Sequence, residues 1–515
     1  MSFQNPVVHS TQLYKKDLNM RLKSLLLAII ISILMIKTTL VASSNDLDVA
    51  INHGRVIDPE SQFDGIAHVG IKNGRIVSLS NQPLDADLVI DAKAQVVAPG
   101  FIDIHSHTPT PFAIERAALD GITTQLDTEA GAYPVSAYGE LIETKPLIHF
   151  GASVGHYAAR LKVIDGLDQP YFFHRGQSIS MDARAWEQVA TPEEIQRIEH
   201  LLEAGLNEGG IGIGVLLDYM TDAISDAELE MIFRLAARYD APVFAHVRRG
   251  LPGDPAGLEE LLDLAVKTQA PIFICHITHN AMGGITEWLS KIDEARSQGA
   301  RVATETLSYL AGGTSISADV FRKRDWRSIF DIDYSDVQWV ETGEWLTEER
   351  WNYYSKNEPG GSVNHHYVKE AWLQTAIQWP DMMISTDALP AFSEQQLSNP
   401  NIAGTFSRVL GRYVREQGIL SLSEALAKMS LKQALWLESI APEFAQKGRI
   451  QIGKEADLVI FDPNTVAANA EYGAPYRPPA GIHWVLVNGQ VVVRHGNLVP
   501  EVFPGSRLGV SRATD

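Results

Sequence analysis

At 515 residues, 45% hydrophobic and 21% charged, the chain has the proportions of a globular protein larger than one ordinary domain, which excludes a largely disordered or fibrous molecule. A net charge of -20 argues against nucleic acid as a partner, because binding phosphates needs clustered cations. The lone cysteine, Cys275, excludes an intrachain disulfide and an all-cysteine zinc site.

The first predicted element is a targeting segment. Arg21 and Lys23 precede the apolar run 25–36, and the small residues Val41-Ala42-Ser43-Ser44 follow it. A run of about 12 residues is too short to span a ~30 Å hydrocarbon core comfortably. We therefore expect a signal peptide over residues 1–42. Its removal would leave a periplasmic or secreted protein without stable membrane association. Met1 and Met20 both remain open as the start.

Residues 48–97 are rich in short β patterns. Asn52-His53-Gly54 and Lys72-Asn73-Gly74 each separate two apolar runs, as hairpin turns do. The C-terminal region repeats this style at residues 456–461, and again at 484–487 and 491–493 across Asn488-Gly489. The middle of the chain alternates differently. A helix is predicted over 191–206, with Thr191 as N-cap and Pro192 at its first position. A second is predicted over 225–239, capped by Ser225 with Glu228 three residues on. Short apolar strands are expected at 241–246, 271–276, 301–306 and 381–386. Strands alternating with helices imply a parallel sheet, and polar residues gathered at strand C-termini favour a (β/α)8 barrel. Residues 325–366 interrupt the alternation with Trp326, Trp339, Trp345, Trp351, Tyr353 and Tyr354. This aromatic stretch is predicted to be a lid or pocket insertion.

The strand before residue 105 ends in His105-Ser106-His107. Residues two apart on a strand share a face, so both imidazoles can meet one metal ion. His246, His276 and Asp387 each close another apolar run. Four histidines and an aspartate can hold one or two zinc-like ions and leave a position for water. The metal-bound hydroxide would be the nucleophile, and Asp387 would pass its proton to the leaving group. Two ions need a bridging anion, and Glu129, near the end of the next strand, is our candidate. Cys275 points away from His276 on its strand and is read as core packing.

The order of these motifs resembles the amidohydrolase superfamily. More specific stretches resemble its N-acyl-D-amino-acid deacylase (D-aminoacylase) family. These are Gly155-His156 with Arg160, residues 202–219, His246 to Arg248, residues 404–416, and the tail from residue 448. The resemblance implies a TIM-like barrel over 99–454, with the aromatic-rich insertion at about 321–366. It also implies a small β-sandwich built from both chain ends, 43–98 and 455–515. It implies zinc, one or two ions per chain, and cleavage of the amide of N-acyl D-amino acids. His105, His107, His246 and His276 would be ligands, and Asp387 the acid and base. His156 and Tyr219 would contact or polarise the scissile carbonyl, and Arg248 and Tyr309 would join them around the substrate. Three positions depart from the family. Ala130 stands where it has a cysteine ligand, and Thr278 and Asn401 where it has a lysine and an arginine. Arg248, Arg249 and His279 are the substitutes considered for gripping a substrate carboxylate.

A lactone, cyclic-amide or small-peptide hydrolase of the same superfamily is the alternative reading. Residues 209–219 lack the lysine that bridges metals in the cyclic-amide enzymes. A reading from another class is a non-catalytic periplasmic binding protein on this fold. All of these expect a small-molecule partner. The acyl group, D or L specificity and homo-oligomerisation are left open.

Overall fold

The computed structural model describes residues 46–107, 109–172, 174 and 182–510. The predicted signal peptide lies outside the described residues. No described helix is long and apolar enough to cross a membrane.

Eight strands form a parallel sheet in chain order: Phe101–Asp103, Ile122–Ala132, His149–Gly155, Ile213–Leu216, Val243–His246, Ile272–Ile274, Val302–Thr306 and Met383–Ile384. The sheet closes on itself. Ser106 and Ala388 form a parallel bridge, and the Asp387 N–H donates to His105 O at 2.8 Å. The strands are short and apolar because each is covered on both faces, by helices outside and by the packed interior within. The helices between them are amphipathic. Pro192–Glu208 starts at a capping box in which Thr191 and Glu194 satisfy each other's backbone N–H groups. Asp226–Arg238 starts on a Ser225 cap.

The chain ends build a nine-stranded sheet. Its junction is Val96–Pro99, which pairs in parallel with Val49–Asp58 and antiparallel with Leu458–Phe461. The hairpin turns at Asn73-Gly74 and Asn488-Gly489 are present, with all four residues at positive φ. They pack against each other so closely that a Cβ on Gly74 would fall 2.2 Å from Asn488 Oδ1. The turn expected at Asn52-His53-Gly54 is instead a bulge. One strand, Val49–Asp58, runs through it and keeps pairing with Phe63–Lys72.

The aromatic insertion lies between the seventh and eighth barrel strands. It begins with Ala311–Ser315, earlier than residue 321, and pairs this strand with Ser362–His366, which also pairs with Val337–Trp339. Trp326 stacks on Trp351 and Trp339 on Tyr354, with ring centroids 4.6 and 4.0 Å apart. These rings give the insertion its own core.

A buried ion network joins the barrel to the end sheet. Lys447 Nζ lies 2.7 Å from both Asp457 and Glu455, and His149 reaches Asp457 at 3.4 Å. Burial disfavours the Asp457 anion, but Lys447 and His149 outweigh this and hold its carboxyl far below the usual range. Asp457→Asn should therefore cost roughly 3 kcal/mol or more in urea unfolding at pH 7. Because the folded carboxyl is depressed, the wild-type advantage is full above about pH 4 and narrows as acid protonates the unfolded chain.

Candidate active site

The polar residues at the C-terminal ends of the barrel strands converge. His105 Nδ1 donates to Glu305 Oε1 at 3.0 Å, and His107 Nδ1 to Asp127 Oδ1 at 3.2 Å. Each buried carboxylate fixes the tautomer of its imidazole and leaves Nε2 with a lone pair. The two Nε2 atoms face each other 3.1 Å apart. Glu129 Oε2 stands 3.3 Å from one and 3.5 Å from the other, and Asp387 Oδ1 stands 3.4 Å from both.

On the other side of Glu129, Oε1 lies 2.7 Å from His276 Nε2 and 3.1 Å from His246 Nδ1. These two ring nitrogens are themselves 3.1 Å apart. Asn280 holds the far nitrogen of His276, and Asp218 lies 3.8 Å from that of His246. Glu129 thus belongs to two groups of potential ligands, His105 with His107 and His246 with His276, and offers one oxygen to each.

Facing lone pairs at hydrogen-bond distance repel unless a cation or a proton lies between them. Burial opposes charge on His105 and His107. The surrounding carboxylates, Glu129 and Asp387 for the first and Asp127 for the second, outweigh it and raise both imidazoles well above their usual range. The site therefore demands positive charge, and its nitrogen and carboxylate donors are those of zinc.

The local backbone explains why Glu129 reaches the centre. The strand Ile122–Ala132 pairs regularly with its neighbour up to Asp127 and resumes only at Ala132. Residues 128–131 bulge into the barrel mouth. Gly214 on Ile213–Leu216 makes room for them, since a Cβ there would lie 2.1 Å from Glu129 O. Gly214→Ala should lower zinc content and reduce kcat/KM by roughly tenfold or more. Circular dichroism should show the fold retained.

Asp387 follows the eighth strand. Thr386 beside it donates both its N–H and its hydroxyl to buried Asp103, at 3.0 and 2.6 Å, which locks the last strand to the first. Asp387 has φ +45°. Burial works against its anion, but His105, His107 and His276 hold its carboxyl below the usual range. Tyr219 lines the cavity above the cluster. Its ring meets His246 edge-on at 5.3 Å and its hydroxyl is 2.5 Å from Thr314 Oγ1. Burial pushes its phenol up, so it keeps its proton as a donor.

Three of the expected residues lie off the cavity wall. His156 is buried behind it, paired with Glu228 at 2.8 Å beside Arg160. Arg248 spends its guanidinium on Glu260 and on the carbonyls of Thr221 and Ile224. Tyr309 donates to Ala470 O at 2.9 Å. Cys275 packs in the barrel interior, where burial raises its thiol. Arg249 and His279 do line the cavity, with Gly312 to Ser315 and His365 of the insertion forming part of its roof. Glu305 and Asp218 were not anticipated. The signal for Glu305 is its place near the end of an apolar strand, where the ligands also sit.

No family model matches the chain. It is 28% identical over 508 residues to N-acyl-D-glutamate deacylase of Alcaligenes xylosoxydans xylosoxydans, an alignment that covers 90% of this chain and 96% of that protein. It is 26% identical to D-aminoacylase of the same organism, covering 91% and 98%. Among solved structures, it matches N-acyl-D-glutamate deacylase from Bordetella bronchiseptica, complexed with zinc and a phosphonate mimic of the tetrahedral intermediate. The TM-score is 0.72 at 26% identity, with 90% of this chain and 100% of that one covered.

Proposed function

We propose that this chain, which belongs to the amidohydrolase superfamily and resembles its N-acyl-D-amino-acid deacylases over nine-tenths of its length, is a zinc-dependent hydrolase of the amide bond in N-acyl D-amino acids. The observation that carries the reading is Glu129, set between two pairs of imidazoles with Asp387 alongside. His105, His107 and Glu129 would hold one ion, and His246, His276 and the other Glu129 oxygen a second. Zinc bound there supplies Lewis acidity to a carbonyl and makes water acidic enough to attack near neutral pH. Asp387, anionic and at the cavity floor, takes the proton of the attacking water and delivers it to the departing nitrogen. Tyr219 donates to the scissile carbonyl oxygen. The insertion covers the cavity and limits water around these groups. A cyclic-amide reading fits less well, because the fourth strand, Ile213–Leu216, carries no lysine.

The test is turnover of N-acetyl D- and L-amino acids, dipeptides and lactones by zinc-loaded protein. Hydrolysis of N-acetyl D-amino acids is expected, abolished by a chelator and restored by zinc. Zinc-loaded protein inactive on every amide would support the binding-protein reading instead. The placement of the mature enzyme in the periplasm rests on residues 20–44 and is tested by N-terminal sequencing of exported protein, expected to begin near residue 43.

A further inference from the structure

Thr278 and Asn401 are turned into the wall and offer the cavity no charge. Thr278 bonds to Thr306 at 2.7 Å, and Asn401 donates to Thr386 O at 2.7 Å. Among the described residues that line the cavity, Arg249 is the sole lysine or arginine.

Arg249 is built into its place. Its guanidinium lies over the Phe330 ring at 5.0 Å, and Nη2 donates to Asn280 Oδ1 at 3.1 Å. Its backbone N–H donates to Asp218 Oδ1 at 3.1 Å, and its Nε stands 3.8 Å from Asp218 Oδ2. Nε is buried and makes no hydrogen bond. Arg324 also approaches Asp218, at 3.9 Å. Two guanidiniums thus share one carboxylate, and the group keeps an excess positive charge.

Two imidazoles complete this end of the cavity. His279 and His365 are each 3% exposed, and their rings approach the backbone of Ala311 and Gly312 without a hydrogen bond of normal geometry. His365 is stacked on Tyr367 at 4.9 Å and lies against Phe330 at 4.7 Å. Burial, with Arg249 nearby, keeps the His365 imidazole neutral. A neutral imidazole carries one N–H donor, and leaving buried donors unmet is costly. The arrangement is therefore short of an acceptor, and one bearing negative charge suits Arg249 best.

Its distance from the chemistry is also suitable. Asp218 Oδ2 lies 3.8 Å from both Arg249 Nε and His246 Nε2, so the cation is one side chain removed from the ligand cluster. In an N-acyl amino acid, one carbon separates the scissile nitrogen from the carboxylate. We infer that Arg249, flanked by His279 and His365, binds the substrate's carboxylate and so selects N-acyl amino acids over neutral amides. The inference rests on the hydrolase reading.

The test compares an N-acetyl D-amino acid with its carboxamide on zinc-loaded protein. Wild type should prefer the acid by about 100-fold or more in kcat/KM. Arg249→Gln should bring that ratio below about fivefold, mainly through KM, while Arg249→Lys keeps an intermediate preference. His365→Phe should reduce the ratio about tenfold. Zinc content and circular dichroism matching wild type would exclude misfolding. An unchanged ratio in Arg249→Gln, or a wild type that prefers the carboxamide, overturns the subsite. Wild type that hydrolyses neither compound overturns the hydrolase reading. Calorimetric binding of the N-acetyl D-amino acid then decides the subsite: binding weakened in Arg249→Gln upholds it, and binding unaffected by the substitution refutes it.

Discussion

Asp387→Asn is expected to lower kcat by about 10³–10⁴-fold while changing KM only a few-fold. The substitution isolates the proton-transfer role because little else about the residue changes. Asp387 sits at φ +45°, a region that asparagine tolerates better than alanine or larger residues. Its backbone stays anchored, since the N–H donates to His105 O at 2.8 Å and the carbonyl accepts from Asn399 at 3.4 Å. The amide keeps the shape and one oxygen facing His105 and His107. It lacks the basic oxygen needed to take a proton and return it. Steady-state kinetics on an N-acetyl D-amino acid, with zinc measured by mass spectrometry on the same sample, separates two roles. Lost turnover with zinc retained identifies Asp387 as the acid and base. Lost turnover in step with lost zinc would make it chiefly a ligand. More than a tenth of wild-type kcat would remove it from the mechanism.

Much of this site was legible in the sequence because the fold turns one-dimensional position into convergence. An apolar run that ends in a polar residue is a barrel strand delivering a side chain to the mouth. Thus His105, His107, His246, His276 and Asp387 meet without any knowledge of the intervening helices. What was not legible depends on local departures from regular geometry. The direction of Glu129 is decided by a bulge, whose room comes from Gly214, 85 residues away in the chain. His156 looked available beside Gly155, yet it opens a short buried helix, and its partner Glu228 sits on the distant helix Asp226–Arg238. Arg248 and Arg249 are neighbours in a loop, where no periodicity says which guanidinium is committed to the scaffold and which faces the cavity. The end sheet shows the same limit: a bulge at Asn52-His53-Gly54 and a hairpin at Lys72-Asn73-Gly74 share their turn chemistry, and only cross-strand pairing tells them apart.

Glu129→Ala should reduce zinc from about two ions per chain to one or fewer and lower kcat/KM by about 100-fold or more. The carboxylate offers Oε2 to His105 and His107 and Oε1 to His246 and His276, so its removal takes one ligand atom from each group at once. It also removes the anion that would separate two cations. Burial disfavours charge on Glu129, yet the surrounding imidazoles hold its carboxyl well below the usual range, so it is present as the anion that two ions require. Glu129→Gln sharpens the test. Glutamine fills the same space with one neutral oxygen, so it can serve one group but cannot bridge both. The expected order of zinc content is therefore wild type, then Gln, then Ala. Stability gives an independent reading, because a ligand that binds the folded state raises its melting temperature in proportion to ln(1 + [L]/Kd). The difference in melting temperature between zinc-loaded and chelator-treated protein should be large in wild type and small in Glu129→Ala. One zinc in every variant, with that difference unchanged, would return Glu129 to the status of a loop carboxylate and leave a single-ion enzyme.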